Sequence, residues 1–272
     1  MPAARTPERL APELDDALAR ASAELAGVPR IWVALSGGLD STVLLHLFAS
    51  GGKLPLSALH VNHQLYCDAP LWQQHCEAHC ERLGVPLQSE LGEVVESGQG
   101  PEAAAREARF ACFERVIGDG EVLLLAHHQD DQAETLLLRL LRGAGPDGLA
   151  AMPRRRALGR GSLLRPLLDV PRSELEAYAR RENLSWVEDP SNANARFDRN
   201  YLRSEVLPLI EARWPAYRRS FARSAALMRE AGIRLAADAG ASLVTVRSVV
   251  GDPGFPLAAL PGDPAQAAQL VR

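Results

Sequence analysis

Ile31-Trp32-Val33-Ala34-Leu35 runs directly into Ser36-Gly37-Gly38-Leu39-Asp40-Ser41, and the apolar helical pattern of Thr42 to Phe48 follows at once. An apolar run, a Gly-rich turn and a helix start together make a phosphate cradle. Glycines let the backbone approach an anion closely, and the free N–H groups of the helix N-terminus point at it. Ser36 and Ser41 add hydroxyl donors. Asp40 cannot ligate phosphate by itself, because like charges repel, but a carboxylate there can hold Mg2+ against the phosphates. The turn is not a Walker A loop, which ends in Gly-Lys-Ser/Thr. The one lysine of the chain, Lys53, lies elsewhere.

Outward from that junction the pattern repeats. Strands are predicted at 31–35, 56–61, 85–91 and 121–126, alternating with helices at 12–27, 42–48, 71–83, 102–117 and 130–142. Alternation at these lengths implies right-handed crossovers and an α/β fold: a parallel twisted sheet flanked by helices. Ligands of such sheets sit beyond the C-terminal strand ends. The Ser36 loop, His63 and the segment from His127 to Asp131 fall there and are expected to share one cleft. Past Gly143 the texture changes. A flexible link leads to a short extended piece at 163–167, a helix at 171–183, a polar loop at 188–194, a helix ending near 208–210 and another at 216–237. The expected division is a catalytic domain over 1–215 and a smaller, mainly helical module over 216–272.

The 272 residues are 47% hydrophobic and 24% charged, ordinary for a soluble globular protein. No apolar run approaches the roughly 18–20 residues that span a bilayer, and Met1 to Arg9 lacks a signal-peptide core. A cytoplasmic protein without a membrane partner is expected. Four cysteines (Cys67, Cys76, Cys80, Cys112) fall short of a disulfide scaffold. His75-Cys76-Glu77-Ala78-His79-Cys80 has helical i,i+4 spacing, but zinc sites draw on two separated ligand pairs and no second cysteine pair exists. A helix packing its cysteines inward is the expectation.

Charge is unevenly placed. Residues 1–150 hold 21 acids against 11 bases, a net of −10, while residues 151–234 hold 17 arginines against 10 acids, a net of +7. Arg-rich surfaces suit phosphate backbones, although a solvated helical face reads the same way from charge alone.

A second constellation is His127-His128-Gln129-Asp130-Asp131-Gln132-Ala133-Glu134-Thr135, at a strand end and entering a helix. Asp131 and Glu134 share one side of the first turn. Three roles stay open for them: capping the helix start, holding a second Mg2+, or binding a cationic substrate.

The hexapeptide Ser36 to Ser41 resembles the pyrophosphate loop of the N-type ATP pyrophosphatases, which cleave ATP between the α and β phosphates and hand AMP to an acceptor oxygen. Taken in order, five further features narrow the match. They are the His127–Thr135 constellation; Arg142-Gly143 with Gly148-Leu149 and Met152; Arg165-Pro166-Leu167-Leu168; Glu188-Asp189-Pro190-Ser191-Asn192; and Arg199-Asn200 with Leu202-Arg203. Together they resemble the bacterial tRNA(Ile)-lysidine synthetase family, over residues 30 to about 230. The resemblance implies a Rossmann-like PP-loop domain that uses ATP and Mg2+ with two substrates, tRNA(Ile) bearing a CAU anticodon and L-lysine. Adenylation of the wobble cytidine and displacement of AMP by lysine would give lysidine.

Carried onto this chain, Ser36, Gly37, Gly38, Leu39, Asp40 and Ser41 would bind the nucleotide, with Asp40 as metal ligand and Asp130 as a second. Asp131 and Glu134 would capture lysine, and Asp40, Asp130, Asp131 and Glu134 form the expected catalytic set. Arg106 or Arg109 would neutralise lysine's carboxylate or the α-phosphate, or else pair with Glu102 or Glu107 on the surface. Arg199, Asn200 and Arg203 resemble a cluster that supports tRNA or the fold. His63 and His127 are candidates for proton removal or for purely structural roles. Related tRNA thiolases fit less well because no Cys-x-x-Cys spacing occurs. A thiolase and a non-catalytic ATP-binding regulator remain the alternatives. A second copy of the chain is kept as a candidate partner. Many family members are longer, so a short form or a truncated chain is expected.

Overall fold

The structure, a computed structural model, describes residues 11–52, 54–62, 69–94, 101–188, 197–242, 246–247 and 253–254. Lys53, His63, Cys67, residues 189–194 and the helix-like 264–270 lie outside the described residues. At its centre is a six-stranded sheet of order β3-β2-β1-β4-β6-β5. The strands are β1 (Ile31–Ala34), β2 (Leu56–Asn62), β3 (Leu87–Leu91), β4 (Val122–Leu124), β5 (Arg155–Leu158) and β6 (Gly161–Leu164). All neighbours pair in parallel except β5, which runs antiparallel to β6 at the edge. Ile31 lies between Leu56 on one side and Val122 on the other. The order reverses at β1 and β4, which puts the topological switch point, where such sheets bind ligands, between those two strands.

The central strands β1 and β4 are apolar on both faces because both faces are covered. Ile31 and Val33, Ala58, Val122 and Leu124, and Leu164 belong to one buried cluster. Trp32, Leu59, Leu123 and Leu163 alternate with them into a second. The first cluster is closed by α1 (Pro12–Glu24), α2 (Leu39–Ser50), α7 (Arg172–Arg181) and the cysteines of α3 (Ala69–Leu83). Helix α4 (Pro101–Val116) closes the second through Phe113, with Ile117 just beyond its end. On α1 the inward residues Leu14, Ala17 and Ala21 keep helical spacing. Helix α2 buries Val43, Leu44, Leu45, Leu47 and Phe48, so it has almost no solvent face.

Elsewhere the structure departs from expectation in detail. The extended piece at 163–167 is the second arm of a hairpin, whose first arm Arg155–Leu158 was not expected. Exposed arginines conceal that arm: Arg155 and Arg156 sit on the open edge, where charge blocks further pairing. Gly161 is required there, because a Cβ would stand 2.4 Å from the Glu121 carbonyl oxygen and 2.6 Å from Ile117 Cγ2. Residues 198–213 form a nearly unbroken helical run, α8 (Asp198–Tyr201), a wide π-helical turn (Leu202–Val206) and α9 (Leu207–Arg213). Helix α10 reaches from Tyr217 to Ser242.

The chain divides into two compact units, Met1–Thr135 with Met152–Arg218, and Leu136–Ala151 with Arg219–Arg272. The second draws on a segment that a boundary near 215 assigns to the first. Within it Leu136, Ala151 and Ala225 form a small buried cluster. Arg139 there donates to the carbonyls of Gly148 at 2.8 Å and Ala151 at 2.9 Å.

Candidate functional site

The turn after β1 has the shape its residues imply. Gly37 has φ +85, and a Cβ there would lie 3.1 Å from Cys76 Sγ, so both the left-handed backbone and the close packing call for glycine. Gly38 caps α2 without any side-chain cap bond, which leaves the helix start to a ligand. The two hydroxyls mainly shape the loop. Ser36 N–H donates to Ser41 Oγ at 3.2 Å, Ser41 Oγ donates to the Gly38 carbonyl at 3.0 Å, and the hydroxyl oxygens are 3.0 Å apart. Val187 N–H donates to the Gly37 carbonyl at 2.9 Å and ties the loop to the chain beyond α7.

Asp40 stands in the first turn of α2. Its Oδ1 is buried without a hydrogen bond, with Arg172 Nε at 3.6 Å, and its Oδ2 is 3.7 Å from His128 Nε2. An orphaned carboxylate oxygen beside an uncapped helix start fits a divalent cation shared with a phosphate. Among the described residues no group of three or more His, Cys, Asp or Glu is placed to hold a metal alone.

His128 is the residue that sequence reasoning passed over in favour of its neighbour. It is buried, and Asp40, Asp130 and Asp131 surround it, with carboxylate oxygens at 3.7, 3.8 and 3.4 Å. Burial alone would lower its pKa, but Asp131 first and then Asp40 and Asp130 outweigh burial and raise it. His127 goes the other way: burial, with Arg165, Arg199 and Arg106 nearby, pushes it down to about 3 despite Asp131. Its Nδ1 is buried without a hydrogen bond.

Asp131 and Glu134 do meet, as their spacing implies, on α5 (Gln129–Leu141). Asp131 Oδ2 accepts His128 N–H at 3.0 Å. Burial opposes its charge, yet His128 and Arg199 hold its carboxyl down to about 2. Glu134 is fully buried and accepts from Arg199 Nε at 2.7 Å, Arg203 Nε at 2.7 Å and Arg203 Nη2 at 3.1 Å. Arg199 Nη2 also reaches Asp131 Oδ1 at 3.3 Å. The two acids and two arginines, some 65 residues apart in sequence, neutralise one another. Asn200 lies between the arginines, half-buried, its carbonyl accepting Ser204 Oγ at 3.0 Å.

Asp130, expected to share the metal with Asp40, has partners on both oxygens. Oδ1 pairs with Arg218 Nε at 2.5 Å and Oδ2 accepts the Arg172 backbone N–H at 2.9 Å. Beside this group opens a pocket of about 240 Å³, lined by four carboxylates (Asp130, Glu134, Glu176, Glu211), three guanidiniums (Arg172, Arg203, Arg218) and Tyr217. Arg106 and Arg109 do not line it; both are exposed on α4, and Arg106 lies 5.0 Å over the Phe110 ring. Arg172, Arg218 and Glu211 carried no sequence signal, being isolated charges in helical context.

Cys76, Cys80 and Cys112 are buried and unpaired. Burial pushes the Cys76 thiol up to about 12 and that of Cys80 to about 11. His79, on α3, is lowered to about 4 by burial and by Arg82, His75 and His46.

The PP-loop domain family model matches residues 10–210. A tRNA(Ile)-lysidine synthase of Pseudomonas fluorescens is 57% identical over 203 residues, 73% of this chain and 46% of that protein. One of Alkalilimnicola ehrlichii is 48% identical over 274 residues, 99% of this chain and 60% of the relative. The chain thus spans about half the length of the curated relatives it matches. Among solved structures, the U34-tRNA thiolase NcsA from Methanococcus maripaludis, with its 4Fe-4S cluster, superposes with a TM-score of 0.64. At 18% identity over 80% of each chain it shares the fold alone.

Proposed function

The chain belongs to the PP-loop domain family, whose fold implies use of ATP, and from that premise we propose that it is the catalytic part of a tRNA(Ile)-lysidine synthetase. In this reading the cradle from Ser36 to Ser41 binds the β and γ phosphates of ATP. The wobble cytidine of tRNA(Ile) with a CAU anticodon is adenylated, and L-lysine displaces AMP. The observation that supports it most is the uncapped start of α2 beside the orphaned Oδ1 of Asp40. Asp40 would hold Mg2+; when bound there, the cation would offset charge developing between the α and β phosphates. Asp130 is left out of the metal site because its oxygens are already engaged.

Lysine suits the Asp131–Glu134–Arg199–Arg203 group. The amino acid carries two ammonium groups and a carboxylate, so it can exchange with either half of an ion-pair cluster that is already neutral. Arg203 is the more exposed of the two arginines, at 40% against 27% for Arg199. His127, pushed down to about 3, is too weak a base at neutral pH to take the proton of the attacking amine, and a structural role suits it better. The thiolase alternative is disfavoured at Cys76 and Cys80, whose thiols, pushed to about 12 and about 11, stay protonated at neutral pH, whereas sulfur chemistry needs thiolates.

The test is release of pyrophosphate and AMP by the full-length protein with tRNA(Ile), scanning the amino acids. Turnover that depends on lysine alone is the expected result. Release of ADP, or turnover indifferent to lysine, overturns the proposal. ATP binding without any pyrophosphate release would mark a regulator instead.

A further inference from the structure

Arg218 lies outside every motif of the sequence reading, yet it makes three hydrogen bonds at the pocket. Its Nε pairs with Asp130 Oδ1 at 2.5 Å, while Nη1 and Nη2 grip the two oxygens of Glu211 at 2.5 and 3.0 Å. The guanidinium also lies 4.7 Å over the ring of buried Tyr217. One planar fork therefore joins the first turn of α5 to α9, and all four residues line the same pocket. Without it, the carboxylates of Asp130 and Glu211 would face the pocket uncompensated and repel each other. Asp130 would also lose one of the two bonds that keep it beside His128, whose Nδ1 is 3.8 Å away.

We infer that Arg218 is a positioning residue that holds Asp130 and α9 together and so sets the shape and charge of the amino-acid pocket. It acts through Asp130 and Glu211 and touches no reacting atom. Geometry matters as well as charge, because a lysine supplies a point charge in place of a fork with three separate donors. The inference rests on the proposed function for the identity of the amino acid, but the clamp itself does not.

The experiment uses the full-length protein and the variants Arg218→Ala, Arg218→Lys and Glu211→Gln. Hydrogen exchange reads the clamp without reference to activity. In Arg218→Ala, amides in 129–133 and 207–213 are expected to exchange several-fold faster while those of β1 and β4 keep their rates. Steady-state turnover reads the consequence. The lysine KM is expected to rise roughly tenfold in Arg218→Ala, as when one partner of a charge pair is removed, with tRNA adenylation changing less than about threefold. Arg218→Lys should recover less than half of the loss. Unchanged exchange in both segments overturns the clamp. Equal effects on the ATP and lysine requirements, or full rescue by Arg218→Lys, overturn the positioning role. If the wild type shows no lysine dependence, the proposed function falls, and exchange alone decides the clamp.

Discussion

Asp40 has an oxygen without a hydrogen bond, 3.6 Å from Arg172 Nε, where a metal would sit, and removing its charge should cost chemistry more than fold. Asp40→Asn is expected to lower the rate of pyrophosphate release on the order of 100-fold or more, with a thermal midpoint close to wild type. A normal rate would place the metal elsewhere. Glu134 presents the opposite balance, being fully buried and held by two arginines. Breaking a buried pair costs roughly 3–5 kcal/mol. Since Arg199 and Arg203 are 27% and 40% exposed, Glu134→Gln should fall at or below the low end of that range. It should also raise the lysine requirement more than the ATP requirement. Equal effects on both substrates would count against a lysine pocket there. The spacing of Asp131 and Glu134 was legible in sequence because a helix fixes i,i+3 neighbours. Their arginine partners, and the distant Asp40 beside His128, were not, because no local rule links residues so far apart.

Two histidines with lowered pKa values make the protein less stable in acid. His127 and His79 have folded pKa values of about 3 and about 4, below the 6.5 of an unfolded chain, so unfolding takes up protons. Their contribution is complete above pH 6.5 and is lost as pH falls toward 4. The thermal midpoint should decline over that window, and His79→Gln should flatten the decline. An unchanged slope in the variant would mean that His79 is not held neutral.

At the scale of elements, the strand–turn–helix unit from Ile31 to Ser50 was readable because each part is local: an apolar strand, glycines, a helix start. The β5 arm was missed because Arg155 and Arg156 follow edge-strand chemistry rather than a hydrophobic pattern. The hairpin depends on Gly161 lying against Glu121 and Ile117. Gly161→Val should therefore destabilise the protein by roughly 1–3 kcal/mol, measured by denaturant unfolding. A neutral result would mean that the hairpin can move off β4 at no cost. The π-helical turn at Leu202–Val206 carries Arg203 to Glu134, and wide turns of this kind gather at functional sites.

At the scale of the whole molecule, the charge asymmetry between 1–150 and 151–234 bears on the proposed RNA partner. Binding of tRNA should weaken steeply between about 50 and 200 mM salt, as counterion release requires. Binding of ATP, held chiefly by backbone amides, should weaken far less over the same range. A flat salt response for tRNA would show that the arginines serve internal pairs instead, as Arg199, Arg203 and Arg218 do in part.

Sequence by itself determined the α/β class, the parallel sheet with its alternating helices, and the glycine turn at Ser36 to Ser41. Each of these follows from residues close together in the chain, where periodicity and glycine chemistry act directly. Only the tertiary structure decided which carboxylate oxygen stays without a hydrogen bond, which acids are already neutralised, and that Arg172 and Arg218 line the pocket. Those outcomes depend on charges brought together across 65 to more than 130 residues, and Coulomb attraction depends on distance in space, which the order of residues does not state.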